Sequence, residues 1–353
     1  ELAPLNLGVN AWADLSDDER KLFARFQEAF AAFLDHTDAQ IGRLLDTLEE
    51  LGELDNTLVI LTSDNGASQE GGPNGQLHEM AFFNMRFDSA EEMMHGYDDI
   101  GGPNSHCNYP WGWSQAGNTP NKWYKQNTHA GGVRSPLIMH WPDRIVDAGG
   151  LRDQFHHVVD IAPTVYEAAG VTPPDVHRGH EQIPIAGTPI LYAVDDPDAA
   201  STRKVQYFEM MGHRGIIEDG WKAVTRRDLL GPNTDPDADV WELYHLPDDF
   251  SECDDLVDEY PDKLAHLVEL WWAEMERHGG LPFDHRTLEL FNSPRQAHSP
   301  HQSRHYRYVP PLAHLPAEVS PPTGGRSWSM NAKVTRADGE DGVIYTYGTQ
   351  NSG

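Results

Sequence analysis

Thr57-Leu58-Val59-Ile60-Leu61-Thr62-Ser63-Asp64-Asn65-Gly66 is the stretch on which the reading of the fold turns. Its opening residues are apolar or β-branched, with no polar residue at alternate positions. An unbroken apolar run of this kind suits a strand covered on both faces, as in a parallel sheet flanked by helices. Ligands collect beyond the carboxyl ends of such strands, where Asp64 and Asn65 stand. A second buried strand, Pro136 to Trp141, follows Gly131-Gly132. The expected class is therefore α/β, with a mostly parallel sheet between helices.

Working outward, residues 16–51 predict a long helix. Ser16 and Glu19 have capping-box spacing. Phe26, Phe30, Phe33, Leu34, Ile41, Leu44, Leu45 and Leu48 recur at three and four residues, and Gly52 marks the stop. Residues 66–122 are rich in Gly, Asn and aromatics with little periodicity, the composition of an ordered functional loop. A helix is expected from about Val159 to Ala169. From about residue 195 short strands take over (Val205 to Glu209, Trp221 to Thr225, Trp241 to His245), followed by a helix from Pro261 to Gly279. These predict a small antiparallel sheet with one helix over 195–292. Residues 293–325 are Pro- and His-rich and read as a linker. Residues 327–335 and 342–348 alternate like strands, a pairing that would make 326–353 the start of a truncated β-domain.

Composition narrows the function. The 353 residues carry a formal net charge of −30, which repels phosphate backbones and argues against nucleic-acid partners. No apolar run reaches the length of a membrane span. No signal-peptide pattern is present, and cytoplasm and periplasm both stay open. Two cysteines, Cys107 and Cys253, make neither a disulfide framework nor a zinc cluster and read as plain thiols.

Two constellations carry chemistry. Ser63-Asp64-Asn65-Gly66 offers a carboxylate and a side-chain amide, hard oxygen ligands suited to calcium or magnesium rather than zinc. The same residues also make ordinary turns. In Lys125-Gln126-Asn127-Thr128-His129-Ala130-Gly131-Gly132-Val133-Arg134-Ser135-Pro136, the Lys125 ammonium can hold an oxyanion, and the paired glycines allow close backbone approach. A lysine is just as commonly a solvated surface group.

The two together resemble the sulfatase family of the alkaline phosphatase superfamily. Asp38-Ala39-Gln40-Ile41-Gly42-Arg43-Leu44-Leu45, Asp160-Ile161-Ala162-Pro163-Thr164-Val165 and Trp241-Glu242-Leu243-Tyr244 are similar to further family segments, and the likeness runs from about residue 16 to 275. Trp111-Gly112-Trp113 and Gly117-Asn118-Thr119-Pro120 look closest to large bacterial arylsulfatases. The resemblance implies an alkaline phosphatase-like fold, with residues 1–194 as the C-terminal half of its α/β domain, and hydrolysis of a small-molecule sulfate ester. It implies Asp64 and Asn65 as calcium ligands, with magnesium second, and Lys125 as a contact for the sulfate oxygens and the bridging ester oxygen. The family nucleophile is a formylglycine made from Cys/Ser-x-Pro-x-Arg. Its geminal diol attacks sulfur with one hydroxyl and expels sulfate with the other.

This sequence contains no Cys/Ser-x-Pro-x-Arg. The family's upstream calcium aspartates, lysine and histidine are also missing, and all of these normally precede the point where Glu1 begins. A fragment that is inactive alone is the expectation. His129 stands two residues before Gly131 and is weighed as a substrate contact against a packed histidine. Glu209 and His213 lie in a segment that reaches toward the pocket in some relatives. His298, His301 and His305 read as a hydrated linker rather than a metal cluster. Two other readings stay open: a phosphonate or phosphate ester hydrolase of the same superfamily, which Asn65 disfavours, and a non-catalytic anion- or partner-binding protein.

Overall fold

A reciprocal pair of hydrogen bonds starts the longest element. Ser16 Oγ accepts the Glu19 N–H at 3.2 Å, and the Glu19 carboxylate accepts the Ser16 N–H at 2.8 Å. Helix α1 then runs Asp17–Glu50, and Gly52 at φ +71° turns the chain away. The computed structural model describes residues 2–83, 86–227, 235–285, 305–308, 321 and 327–335. The N-terminal part of α1 buries Leu22, Phe23 and Phe26 against Met93 and Ile100. Further along, Phe33, Leu34 and Leu44 are exposed.

Strand β1 (Val59–Thr62) and strand β2 (Leu137–His140) fall where the apolar runs place them. They pair antiparallel, Val59 opposite His140 and Thr62 opposite Leu137. The expectation of a mostly parallel sheet is not met among the described residues, whose strand pairings in sheets are all antiparallel. The reason is physical: an apolar run reports which faces a strand can bury, not the direction of its neighbour. Nor are both faces covered, for Leu61, Leu137 and Ile138 stay exposed.

The region read as irregular contains short helices, among them α2 (Glu79–Phe83), α3 (Ala90–Met93) and α4 (Trp111–Asn118). The indole N–H of Trp113 donates to Phe23 O at 2.8 Å and that of Trp111 to Gln69 O at 2.9 Å, so the aromatics staple this region to α1 and to the strand-end loop. Helix α5 (Ala130–Val133) precedes β2, and α6 (Ile161–Ala168) follows it. Asp160, wholly buried at the start of α6, accepts the N–H of His157 and of Thr188 and pairs with Arg203, tying three distant segments together. The short strands β3 (Val176–His177) and β4 (His180–Glu181) and helix α7 (Leu191–Asp195) lead onward.

The small sheet has four strands in the order β5 (Val205–Met210), β6 (His213–Glu218), β7 (Trp221–Thr225) and β8 (Trp241–His245), each antiparallel to the next. Helix α8 (Pro261–Arg277) packs Leu267, Trp271 and Met275 on Ile216, Ala223 and Leu243. Each buried Leu, Ile or Met among them contributes roughly 1.5–3 kcal/mol. The antiparallel sheet and helix are as expected, with β6 as an additional strand. Residues 1–287 form one compact unit and 288–353 a second; the boundary expected near 195 falls inside the first. Residues 327–335 form no strand, and their expected partner at 342–348, like His298, His301 and most of the linker, lies outside the described residues. Among the described residues, no helix is long and apolar enough to cross a membrane.

Candidate active site

Two backbone hydrogen bonds join the segments that sequence singled out. Gly66 N donates to Gly132 O at 3.2 Å, and Lys125 N donates to Ala67 O at 3.1 Å. A side chain at 66 is not tolerated: a Cβ there would lie 1.7 Å from Gly131 O. Gly131 and Gly132 are similarly hemmed in by Trp123 O and Asn127 O. Glycine is needed because backbone meets backbone, and the Asp64-Asn65 turn is thereby fixed beside the Lys125 loop.

Asp64 is exposed, and its carboxylate has no hydrogen-bond or ion-pair partner among the described residues. Asn65 Nδ2 donates to Gly66 O at 2.8 Å, leaving Oδ1 free to accept or to coordinate. Both atoms are hard oxygens of the type calcium takes, so the donor set fits in kind. It is short in number, since calcium takes six to eight oxygens. Among the described residues, no cluster of three or more His, Cys, Asp or Glu stands ready to hold a metal.

Lys125 is paired. Its Nζ lies 2.6 Å from Glu70 Oε1, and the Glu70 carboxylate also takes the Ser68 hydroxyl. Glu70 is 6% exposed. Burial alone pushes its carboxyl up, but the Lys125 ammonium and Ser68 hold it below the usual range. Sequence reading passed over Glu70, which sits in Gln69-Glu70-Gly71-Gly72 without local periodicity or motif.

His129 is wholly buried, with Nε2 3.2 Å from Glu242 Oε2 on β8. Its Nδ1 is buried and has no hydrogen-bond partner among the described residues. Glu242 also receives Lys122 Nζ at 2.8 Å and the Tyr244 hydroxyl. Burial raises the Glu242 carboxyl, yet these three partners overcome it and keep the group ionised far below the usual range. Glu252, fully buried, accepts Ala130 N at 2.9 Å and pairs with Lys222, itself 1% exposed. Thr128 Oγ1 donates to Arg214 O at 2.9 Å. The loop from 122 to 130 is thus held from behind by the small sheet.

His213 opens β6, buried, with Nδ1 accepting Arg227 N at 3.0 Å. Burial first, then the charges of Arg226, His129 and Arg227, pull its pKa down to about 3. It is neutral at ordinary pH. Glu209 is exposed and accepts Gly212 N at 2.8 Å, closing its own hairpin. The structure therefore brings the Asp64-Asn65 turn and the Lys125 loop into one neighbourhood, sets His129 and His213 behind the Lys125 loop, and leaves Glu209 near the end of β5, beside its hairpin turn. Cys107 and Cys253 form no disulfide with each other.

Strand-end oxygens are thus locked by glycine beside a lysine-bearing loop, on a scaffold with an appended antiparallel sheet. Two family profiles match the chain, Sulfatase over residues 11–171 and N-sulphoglucosamine sulphohydrolase, C-terminal, over residues 121–277. The chain belongs to the sulfatase family. It is 31% identical over 272 residues to an uncharacterized sulfatase of Schizosaccharomyces pombe, covering 76% of this chain and 47% of that one. It is 32% identical over 163 residues to an arylsulfatase of Klebsiella aerogenes, covering 46% of this chain and 33% of the relative. An N-acetylglucosamine-6-O-sulfatase of Bacteroides thetaiotaomicron is 24% identical over 279 residues, covering 78% and 40% respectively. The chain spans about half the length of these relatives or less.

Proposed function

We propose that this chain serves the hydrolysis of organic sulfate esters, contributing part of a calcium site through Asp64 and Asn65 and a sulfate-binding cation through Lys125. The observation that carries this reading is the glycine-locked juxtaposition of the two segments, through Gly66 N to Gly132 O and Lys125 N to Ala67 O. A carboxylate and a free amide oxygen stand where a hard cation would sit, beside a lysine able to neutralise sulfate oxygens.

Bound calcium would supply a fixed positive charge against the transferring group. The residues of this chain do the rest. Asp64 and Asn65 hold the cation, Lys125 Nζ donates to sulfate oxygens and to the bridging oxygen as negative charge builds there, and the small sheet keeps the loop rigid so that no reorganisation accompanies that build-up. The nucleophile would be a formylglycine from sequence not present among these 353 residues. The open apolar faces of α1, β1 and β2 support further sulfatase sequence packing on them.

The test is turnover of a chromogenic aryl sulfate by protein in which this chain is joined to the nucleophile-bearing sequence. Asn65→Ala and Lys125→Ala should each lose roughly 10²–10³ in rate, the scale set by removing one preorganised donor, with little change in melting temperature. Asn65→Asp should retain metal but lose turnover through repulsion of the anionic ester. Near wild-type turnover in both alanine variants would reduce these residues to turn and surface.

A further inference from the structure

Lys125 does not wait as a bare cation. Its ammonium is 2.6 Å from a carboxylate that is itself almost wholly enclosed. Glu70 is fixed on every side that bears on the contact. Ser68 donates its hydroxyl to the carboxylate, and Ser68 O in turn takes the Ser114 hydroxyl from α4. The next residue, Gly71, lies so close to Tyr109 O that a Cβ there would approach it to 1.9 Å. The backbone beside Glu70 is thus pinned and its carboxylate enclosed, whereas Lys125, with about a third of its side chain exposed, is the more open partner. On the side where an anion would approach, Lys125 therefore presents an ammonium already half-neutralised from behind.

We propose that Glu70 is the positioning counter-ion of Lys125: it fixes the direction of the ammonium and limits how tightly this corner holds a free anion. This rests on the reading of Lys125 as the sulfate contact. An esterase whose product is a free dianion needs such a limit, because a fully unopposed lysine beside a metal would retain the product as firmly as it binds the ester. The fixed carboxylate opposes both, but the charge that grows in the transition state is concentrated at the oxygens Lys125 faces, while Glu70's repulsion acts evenly on the whole anion. The arrangement gives up ground-state affinity and keeps the differential interaction.

The experiment uses the 353-residue chain and inorganic sulfate. The chain is labelled with a trace of an amine-acetylating reagent across a sulfate titration, and modification of Lys125 is read by mass spectrometry with exposed Lys204 as internal reference. Sulfate should protect Lys125 and not Lys204. In Glu70→Gln, which keeps an acceptor for Ser68 and Lys125 but removes the charge, the half-protecting sulfate concentration should fall about five- to tenfold, the scale of one unit charge a few ångströms away at a partly solvated site. Unprotected labelling of Lys125 should rise as the ion pair loosens. Glu70→Asp, a milder change that withdraws the carboxylate by one methylene, should shift the titration in the same direction by about two- to threefold. Equal or weaker protection in both variants, with melting temperatures near wild type, overturns the role given to Glu70 while leaving Lys125 as an anion contact. No protection of Lys125 in any form, while Lys204 reports normal labelling, overturns the reading of Lys125 itself.

Discussion

Replacing Glu252 by alanine tests the claim that the small sheet holds the Lys125 loop in place. Glu252 is completely buried and does two things at once: it balances the charge of Lys222, which is 1% exposed, and it accepts the Ala130 N–H at 2.9 Å. The substitution strands a buried ammonium, which typically costs about 3–5 kcal/mol. It also orphans a buried amide, worth roughly 1–3 kcal/mol taken alone. The two do not simply add, because burial already pushes the Lys222 pKa down and the lysine can shed its proton. The expected loss is therefore about 3–5 kcal/mol in all. Urea denaturation followed by tryptophan fluorescence measures it. A second variant, Lys222→Met with Glu252→Gln, removes both charges and keeps an acceptor for Ala130 N; it should recover most of the loss, since a buried ion pair exchanged for a satisfied neutral pair is often close to neutral. A Glu252→Ala cost below about 1 kcal/mol, or a double variant as damaged as the single one, would refute the argument.

Gly66→Ala should destabilise by about 1–3 kcal/mol or more, since the new methyl meets the Gly131 carbonyl rather than a side chain that can rotate away; thermal melts decide. His213 is held neutral with a pKa near 3, well under its ordinary 6.5. The unfolded chain then binds the extra proton first as pH falls, so His213 contributes stability that is fully present above about pH 6.5 and lost progressively toward pH 3. His213→Asn should flatten that part of the stability–pH curve relative to wild type, and parallel curves would contradict it. Asp64 and Asn65 alone should bind calcium weakly; sub-micromolar affinity by calorimetry, abolished in Asp64→Ala, would mean that further ligands exist in this chain. The chain by itself should release no sulfate from an aryl ester, and release that disappears in Lys125→Ala would show that it is catalytically self-sufficient.

Local signals were legible in the sequence and non-local ones were not. The capping box of Ser16 and Glu19 and the stop at Gly52 placed α1 to within a residue. Apolar runs located β1 and β2, and short strand-like stretches located β5, β7 and β8, because strand-forming residue types leave their mark locally. Strand β6 was missed: His213-Arg214-Gly215-Ile216-Ile217-Glu218 opens with two ionisable groups and a glycine, and only the structure reveals that Arg214 is buried against Asp239 and that Gly215 lies bare against Thr128. The pairing direction of β1 and β2 was illegible for a related reason, since hydrogen-bond polarity is invisible to hydropathy. At the site, Asp64, Asn65 and Lys125 stood out through residue type and spacing. Glu70, Glu242 and Glu252 did not, although they determine how the loop is held. Each acts on a partner elsewhere in the chain or, in the case of Glu242 and Glu252, across more than a hundred positions, and no short window contains both members of such a pair.

The two glutamates of the small subdomain have a consequence for how proteins of this kind can be recombined. Glu242 takes hold of the loop at Lys122 and His129, and Glu252 at Ala130, so the loop's own residues are only half of a matched set. A chimaera that imports a foreign C-terminal segment will keep Asp64, Asn65 and Lys125 and still lose the geometry of the loop, unless both acids and the lysine at 222 travel with it. The natural crossover point lies before the loop, not between the loop and the sheet, and libraries cut at the latter joint should be dominated by members whose loop is displaced.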